Sequence, residues 1–367
     1  MTALPLLFSL SMCGGSEESP LDPGDPGNGP GDPPPPSSTC PPLPPGAAFA
    51  ASGSPGSNPD AAGTPRIVLM GGSSEVDAAS RLFVEAAGGG DVLVMRASGS
   101  VTSYNDYFRE EVGPRPAPAS VGTIRIDEVA AASSPGVLCR VAQAHALWLA
   151  GGNQWDYLGR WPESLQDSIR AVGRRGGIGG TSAGAAVLGE MAFDARGGSV
   201  TSAEALLDPF GPRVQVSRSP MGQPELEGHL VDQHFRQRDR EGRLMVFLAR
   251  MQEVLDRDTV YGIGLDERAA LVIEGGRFQV LAHTGREVSI YRTTKRANAL
   301  PGVPLDMEAV ERVRLEDGLS GSWPLDFQGH SRDVLHVEGG VVRATSQLSE
   351  SDRRLPAVPR SIPTHSP

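Results

Sequence analysis

The chain is short of the features that define several classes of protein. Its 367 residues include only three cysteines, too few for the disulfide framework of a small secreted scaffold. After the N-terminal residues, no stretch supplies the roughly 20 apolar residues that cross a bilayer, which excludes a polytopic membrane protein. Basic residues are outnumbered 33 to 44 by acidic ones, and the formal net charge of −11 argues against a nucleic-acid or anionic-membrane binder.

Proline and glycine are abundant, and much of the excess lies near the N-terminus. Residues 14–65 contain 15 prolines, 10 glycines and six acidic residues but no basic one. Such a segment cannot bury enough apolar surface to offset its ordering entropy, so residues 14–65 are predicted to be a disordered acidic linker. Residues 345–367 are predicted to be a disordered tail, which leaves residues 66–344 as the folded domain.

The first 13 residues resemble the end of a bacterial lipoprotein signal, with an apolar run leading to Cys13 as the lipidated residue. The basic residues that usually begin such a signal are absent, and an incidental apolar N-terminus is the alternative. The signal predicts a lipoprotein exported to the cell surface or periplasm, or a secreted protein, that touches the membrane only through Cys13. In an exported protein Cys40 and Cys139 are able to pair, and a buried, unpaired Cys139 is the alternative.

Short apolar runs alternate with amphipathic stretches from Arg66 onward, which predicts an α/β domain with a mostly parallel sheet. Ligands bind such sheets at the carboxyl ends of the strands, where glycine-rich turns follow at residues 71, 151 and 180. Apolar runs after residue 259 are predicted to extend the same sheet. The turn at residues 71–73 lacks the third glycine of a dinucleotide fingerprint, and no cluster has metal-ligand spacing, so neither a cofactor nor a metal is predicted.

A candidate nucleophile lies in Gly180-Thr-Ser182-Ala-Gly184, which matches the G-x-S-x-G pattern. The serine of that pattern occupies a sharp strand-to-helix turn, so its neighbours must be small. The next backbone N–H, on Ala183, is placed to stabilise an oxyanion. A passive serine in a tight glycine turn is the alternative.

A serine nucleophile needs a base and an acid that orients the base. His234 ends an apolar run and is the predicted base. The order serine, acid, histidine restricts the search for the acid to residues 183–233. The nearer choices are Glu190, Asp194, Glu204 and Asp208, of which Glu204 is selected because it follows a glycine-rich turn.

Four arginines stand within eight residues beside His234, namely Arg236, Arg238, Arg240 and Arg243. Arginine binds carboxylates through two parallel hydrogen bonds, so the cluster predicts a carboxylate-binding pocket. A solvated charged helix face is the alternative.

Taken together, these motifs resemble cyanophycinase, in the family of serine exopeptidases that also contains dipeptidase E. The matching segments are Gly151-Gly-Asn-Gln154, Gly179-Gly-Thr-Ser-Ala-Gly-Ala-Ala186, Asp232-Gln-His-Phe-x-x-Arg238-x-Arg240-x-x-Arg243 and Gly262-Ile-Gly-Leu-Asp-Glu267. The resemblance implies a three-layer α/β/α fold like that of class I glutamine amidotransferases, a Ser-His-Glu triad and, as family behaviour, a homodimer.

Residue by residue, the resemblance gives Ser182 the nucleophile position, His234 the base and Glu204 the acid. It places Gly152 and Ala183 in the oxyanion hole, and the substrate pocket at Gln154, Asp232, Gln233, Arg238, Arg240 and Arg243. The implied activity is hydrolysis of cyanophycin (multi-L-arginyl-poly-L-aspartate) to β-Asp-Arg dipeptides through an acyl-enzyme. An exported dipeptidase or isopeptidase for other Asp- or Glu-containing peptides and an inactive surface binding protein are the alternatives.

Overall fold

Two β-sheets organise residues 39–347, which are the part of the chain that the computed structural model describes. The strands are β1 (Ala47–Gly53), β2 (Arg66–Met70), β3 (Asp91–Arg96), β4 (Ser120–Ile126), β5 (Ala146–Leu149), β6 (Gly177–Thr181), β7 (Met191–Phe193), β8 (Val216–Arg218), β9 (His229–Gln233), β10 (Tyr261–Leu265), β11 (Ala269–Glu274), β12 (Arg277–Ala282), β13 (Glu287–Thr293), β14 (Met307–Glu316), β15 (Ser320–Ser322), β16 (Arg332–Glu338) and β17 (Val341–Gln347). The helices are α1 (Asp77–Glu85), α2 (Pro135–Gln143), α3 (Gln154–Leu158), α4 (Glu163–Arg175), α5 (Ala183–Ala186), α6 (Ser202–Leu207) and α7 (Glu241–Leu255). The lipoprotein signal predicted for residues 1–13 lies outside the described residues.

The first sheet has nine strands in the order β1-β4-β3-β5-β6-β2-β11-β12-β15. Its five consecutive strands β4, β3, β5, β6 and β2 are parallel, as the sequence predicts, and antiparallel strands extend both edges. The carboxyl ends of the parallel strands therefore meet along one edge, where binding residues collect in sheets of this kind.

Helices cover both faces of this parallel core, so the predicted α/β class with three layers is confirmed. Alternate residues of β2 point to opposite faces because the side-chain period of a strand is two. Val68 packs in one cluster with Phe83 of α1, whereas Leu69 packs on the other face in a cluster with Val141 of α2 and Ile169 of α4.

The second sheet has eight strands in the order β17-β16-β14-β13-β10-β9-β7-β8. The expectation that all strands after residue 259 extend the first sheet is wrong for part of them. β11 and β12 do join the first sheet, but β10 and β13 belong to the second, because β10 pairs in parallel with β9 and β13 pairs with β10. Strand pairing depends on distant partners, which periodicity along the chain does not identify.

The boundaries of the predicted linker need correction. Residues 47–53 form β1, an edge strand that pairs with β4 over seven residues, and Phe49 packs against Gly122 of β4. A disulfide joins Cys40 to Cys139 in α2. The high proline content of residues 14–65 conceals this short strand. Pairing with β4 and the disulfide at Cys40 hold it in place. At the other end the last strand runs to Gln347, beyond the predicted boundary at residue 344.

Candidate active site

Ser182 lies on the sharp turn between β6 and α5, with φ 52° and ψ −119°. A Cβ on Gly180 would lie 2.4 Å from the backbone carbon of Gly184, and a Cβ on Gly184 would lie 2.0 Å from the carbonyl oxygen of Leu149, so both glycines of the pattern are required. The Ser182 N–H donates to the Met70 carbonyl at the end of the adjacent strand β2 (3.0 Å). Non-glycine residues with such dihedral angles cost about 1–3 kcal/mol each and persist where the surrounding structure determines them.

His234 follows β9 and approaches the serine from the second sheet. Its Nε2 lies 2.8 Å from the Oγ of Ser182, which is hydrogen-bond distance. The residue is 7% exposed and has φ 49°, and its backbone N–H donates to the Gly71 carbonyl at 2.9 Å. The predicted nucleophile and base are therefore in contact.

The acid beside His234 is Glu267. Its Oε1 lies 2.7 Å from Nδ1 of the imidazole. Strands β9 and β10 are parallel neighbours, so the residues that follow their carboxyl ends, His234 and Glu267, meet at the same edge. The Glu267 N–H donates to the Oε1 of Gln237 at 2.7 Å, which fixes the backbone that carries the carboxylate.

The prediction that Glu204 is the acid beside His234 is wrong, because the Glu204 carboxylate bonds to other residues. Glu204 is the third residue of α6, and its Oε2 accepts hydrogen bonds of 2.9 Å from the N–H and the Oγ1 of Thr201 in a capping box. Its other oxygen pairs with Arg213. The remaining choices, Glu190, Asp194 and Asp208, bond to Arg218, Arg196 and the N–H of Phe210 respectively.

The sequence did contain the signal for Glu267, since this residue ends the segment Gly262–Glu267 quoted for the family resemblance. The order serine, acid, histidine places the acid before the histidine and therefore excludes Glu267. Here the order along the chain is serine, histidine, glutamate.

Two backbone N–H groups beside Ser182 remain available to a ligand. No described residue accepts a hydrogen bond from the N–H of Gly152 or of Ala183. Ala183 is the first residue of α5, where the N–H groups have no partner within the helix. Gly152 follows β5, and a Cβ on its neighbour Gly151 would lie 3.6 Å from the Cβ of Ser182.

A cleft of about 260 Å³ opens in front of Ser182 and is called the catalytic cleft below. It collects most of the predicted pocket residues. Its lining includes Gly152, Gln154, Ser182, Gln233, Arg238, Arg240 and Arg243. Asp232 is not among the lining residues and lies behind them.

Of the three arginines, Arg243 has the most complete set of protein partners. It donates to both oxygens of Asp232, at 2.8 and 2.5 Å, and both side chains are almost fully buried. Arg240 donates to the Gln233 carbonyl at 2.6 Å. The Arg238 side chain has no hydrogen bond or ion pair with any described residue, so it is the most available cation of the catalytic cleft.

Burial and neighbouring charges shift the pKa values of His234 and Arg240. Burial lowers the pKa of His234, and the charges of Arg238 and Arg240 lower it further, against the opposing effect of the Glu267 hydrogen bond. The imidazole is therefore neutral at pH 7 and able to accept a proton. Burial also lowers the pKa of Arg240 to about 10, which leaves it charged at neutral pH.

Within residues 39–347, no group of three metal-ligating side chains comes together. The same residues contain no helix that is both long enough and apolar enough to span a bilayer.

Fold and site together define an α/β protein whose serine, histidine and glutamate are hydrogen-bonded in series, as in the triads of serine hydrolases. The resemblance to cyanophycinases is confirmed by sequence comparison. The chain is 28% identical over 225 residues to the cyanophycinases of Synechococcus elongatus and of Thermosynechococcus vestitus, and each match covers 59% of this chain. The matched region spans 62% of the length of those relatives.

No model of a protein family matches the chain. Among solved structures, a peptidase from an acI-B1 Actinobacterium superposes with a TM-score of 0.45 at 18% identity, over 71% of this chain and 97% of that one.

Proposed function

We propose that the chain is a serine peptidase that hydrolyses cyanophycin to β-Asp-Arg dipeptides, with Ser182, His234 and Glu267 as its triad. The observation that carries the proposal is the series of two hydrogen bonds, 2.8 Å from Ser182 to His234 and 2.7 Å from His234 to Glu267. The similarity to proteins named cyanophycinase supports the choice of polymer.

In the proposed reaction His234 Nε2 takes the Oγ proton while Ser182 attacks the scissile carbonyl carbon. The N–H groups of Gly152 and Ala183 bind the oxygen that becomes negative, and Glu267 stabilises the imidazolium. His234 then returns its proton to the leaving amine, so the C–N bond breaks and an acyl-enzyme remains. A water molecule, deprotonated by His234, attacks the ester, and Ser182 regains its proton as the product leaves.

The lining of the catalytic cleft supports a substrate unit that carries both a carboxylate and a guanidinium. Arg238 and Arg240 supply donors for a carboxylate near the scissile bond. The Oε1 of Gln233 is buried and has no hydrogen-bond partner among residues 39–347, which makes it an acceptor for a guanidinium N–H. Gln154 is buried in the same lining and adds a second amide.

The test is incubation of the purified chain with insoluble cyanophycin, followed by mass analysis of the soluble products. We expect β-Asp-Arg from the wild type and none from Ser182→Ala. Ser168→Ala is the matched control, because its hydroxyl bonds to the Ser164 carbonyl on the exposed face of α4. Turnover by Ser182→Ala at the wild-type rate would refute the assignment of the nucleophile.

A dipeptidase for other acidic peptides is the second candidate, and it is favoured by the unpaired Arg238, which would bind any carboxylate. A panel of β-Asp-Arg, β-Asp-Lys and α-Asp-X substrates separates the two. Stoichiometric labelling of Ser182 by a fluorophosphonate would argue against a catalytically inactive binding protein.

Export is proposed for the cell compartment, and the bond between Cys40 and Cys139 supports it, because disulfides persist chiefly in oxidising compartments. Lipidation at Cys13 is tested by feeding a radioactive fatty acid to cells that express the wild type or Cys13→Ala. Label in the wild type alone supports the anchor, and equal label in both proteins contradicts it.

A further inference from the structure

A buried carboxyl group lies beside the strand end that carries Ser182, and the proposed triad does not use it. Strand β2 pairs in parallel with β6, so that Met70 lies opposite Thr181 at the carboxyl ends of the two strands. Thr181 is the residue before Ser182, and the chain runs from Met70 through the glycine turn to Glu75. The Glu75 side chain therefore belongs to the segment that borders Thr181.

An aromatic cluster beside α1 holds one oxygen of Glu75. The ring of Tyr104 lies 5.1 Å from that of Phe108, which lies 5.6 Å from that of Trp148. The hydroxyl of Tyr104 donates to the Oε1 of Glu75. Burial raises the pKa of Glu75 to about 7. A carboxyl group costs free energy in such surroundings, and an apolar side chain of similar shape would avoid that cost, so stability alone does not explain it.

Three buried polar atoms collect around this contact, namely the Oε2 of Glu75, the Oγ1 of Thr181 and the Nε1 of Trp148. None of them has a hydrogen bond of standard geometry with any described residue. The Thr181 hydroxyl is nevertheless close enough to lower the pKa of Glu75, as the Tyr104 hydroxyl also does. Buried polar atoms are rarely left unpaired, so three of them in one place indicate a role beyond packing.

The same face of the sheet brings Thr181 and Trp148 together. Side chains two residues apart on a strand point to the same face, so Thr181 shares a face with Gly179. A Cβ on Gly179 would lie 2.5 Å from the ring of Trp148. The hydroxyl of Thr181 thus points away from the catalytic cleft, into the cluster that contains Tyr104 and Glu75.

Ser182 needs support on its N-terminal side because its φ of 52° is unfavourable for a residue with a side chain. Such a conformation persists only where the surrounding structure determines it. Thr181 supplies that support in part through the sheet, and its side chain is 6% exposed. A polar neighbour at its hydroxyl would fix the side chain as well as the backbone.

We propose that Glu75, held by Tyr104, is a positioning residue that fixes the Thr181 hydroxyl and thereby the direction in which the Ser182 Oγ points toward His234. This inference rests on the proposed function. The hydrogen bonds of Glu75 lead to Tyr104, whereas those of the triad lead from Ser182 to His234 and on to Glu267. Its loss should therefore reduce the reactivity of Ser182 and leave substrate binding unchanged.

The test measures the rate at which a fluorophosphonate labels Ser182, a reaction that needs a reactive serine but no cyanophycin. Thr181→Val removes the hydroxyl at nearly constant volume, whereas Thr181→Ser keeps it. We expect about tenfold slower labelling of Thr181→Val, the effect of about one hydrogen bond, and a rate within about twofold of the wild type for Thr181→Ser. Wild-type labelling of Thr181→Val, or equally slow labelling of Thr181→Ser, would overturn the inference.

Steady-state cleavage of the p-nitroanilide of a single β-Asp-Arg unit separates positioning from binding. In Thr181→Val, kcat should fall by the same factor of about ten while KM stays within about twofold. A higher KM with unchanged kcat would overturn the inference, because the effect would then lie on substrate binding.

A double-mutant cycle tests whether Glu75 acts through Thr181. Glu75→Leu keeps most of the side-chain volume and removes both oxygens. We expect about tenfold slower labelling of Glu75→Leu, and no further loss when Thr181→Val is added, because both changes remove the same link. A combined loss near a hundredfold would mean that the two residues act independently and would overturn the inference.

Tyr104→Phe and Tyr107→Phe form a matched pair. The Tyr107 hydroxyl bonds to Asp77 and Ser80 in the same aromatic cluster, at 2.9 and 3.0 Å. We expect slower labelling of Tyr104→Phe and wild-type labelling of Tyr107→Phe, and equal rates in the two variants would contradict the role of Tyr104. If Glu75→Leu does not fold, this pair and the two variants of Thr181 decide the test.

The labelling reaction also separates this failure from failure of the proposed function. If the wild type is not labelled, the proposed serine peptidase is wrong and the inference falls with it. If the wild type and Thr181→Val are labelled at the same rate, only the role of Glu75 is wrong. If the wild type is labelled but does not cleave cyanophycin, the choice of polymer is wrong, and the labelling rates still decide the role of Glu75.

Discussion

Replacing Glu267 by glutamine tests the assignment of the acid most directly. The carboxylate lies 2.7 Å from Nδ1 of His234, so it faces the positive charge that the imidazole acquires when Ser182 is deprotonated. At an effective dielectric constant of about 20, unit charges about 4 Å apart attract by about 4 kcal/mol. Since each 1.36 kcal/mol corresponds to a factor of ten, kcat should fall by about 10³-fold.

The matched variant is Glu204→Gln, which removes a carboxylate of the same type from a capping box whose side chains bond to each other and to Arg213 rather than to His234. We expect it to keep wild-type kcat and to lower the melting temperature slightly. The assay is cleavage of the p-nitroanilide of a single β-Asp-Arg unit. Thermal unfolding of each variant is the control for folding. A loss of less than tenfold in Glu267→Gln, or a large loss in Glu204→Gln, would refute the reasoning.

Three further predictions concern pH and stability. Arg238→Gln should move the acid limb of the kcat/KM profile to higher pH, because the charge of Arg238 lowers the pKa of His234 and activity needs the neutral imidazole; an unmoved limb contradicts this. Burial lowers the pKa of His229 to about 4, so the unfolded chain binds a proton between pH 6.5 and 4 that the folded one does not. Stability should therefore fall by about 3 kcal/mol as the pH drops through that window, and urea unfolding should show a smaller change in His229→Gln. Cys139→Ser opens the loop that the bond to Cys40 closes over a sequence separation of 99 residues, and it should cost about 4.7 kcal/mol, as should reduction of the wild type. Identical urea midpoints before and after reduction would contradict this.

Local patterns predicted the features of the site that depend on neighbouring residues in the chain. The requirement for small residues around Ser182 is a property of five consecutive positions, and the structure shows it in the contact between Gly180 and Gly184. His234 was identified in the same way, from an apolar run that ends at a polar residue. The parallel core of the first sheet followed from the alternation of strands and helices.

The features that the sequence did not reveal depend on distant partners. Glu267 meets His234 because β10 pairs with β9, and no periodicity reports which strands become neighbours. The same limit applies to β1, whose seven residues are ordered by β4 and by the bond to Cys139 although their segment is rich in proline. In both cases long-range contacts decide what local composition leaves open.

The turn at the end of β2 accepts backbone hydrogen bonds from both Ser182 and His234. Met70 accepts the N–H of Ser182, and Gly71 accepts the N–H of His234, at 3.0 and 2.9 Å. Gly72 has φ 98°, and a Cβ there would lie 2.4 Å from the imidazole, so the ring packs directly on the backbone of the turn. A single three-residue turn thus sets the distance between Ser182 from the first sheet and His234 from the second.

Both residues that it holds have positive φ values, 52° for Ser182 and 49° for His234, a conformation that costs about 1–3 kcal/mol at each residue. The two backbone hydrogen bonds to the turn offset part of that cost and favour the geometry needed for proton transfer before any substrate arrives. A side chain at position 72 would displace the imidazole. The glycine pair that is too short for a dinucleotide fingerprint therefore aligns the imidazole of His234 with the hydroxyl of Ser182.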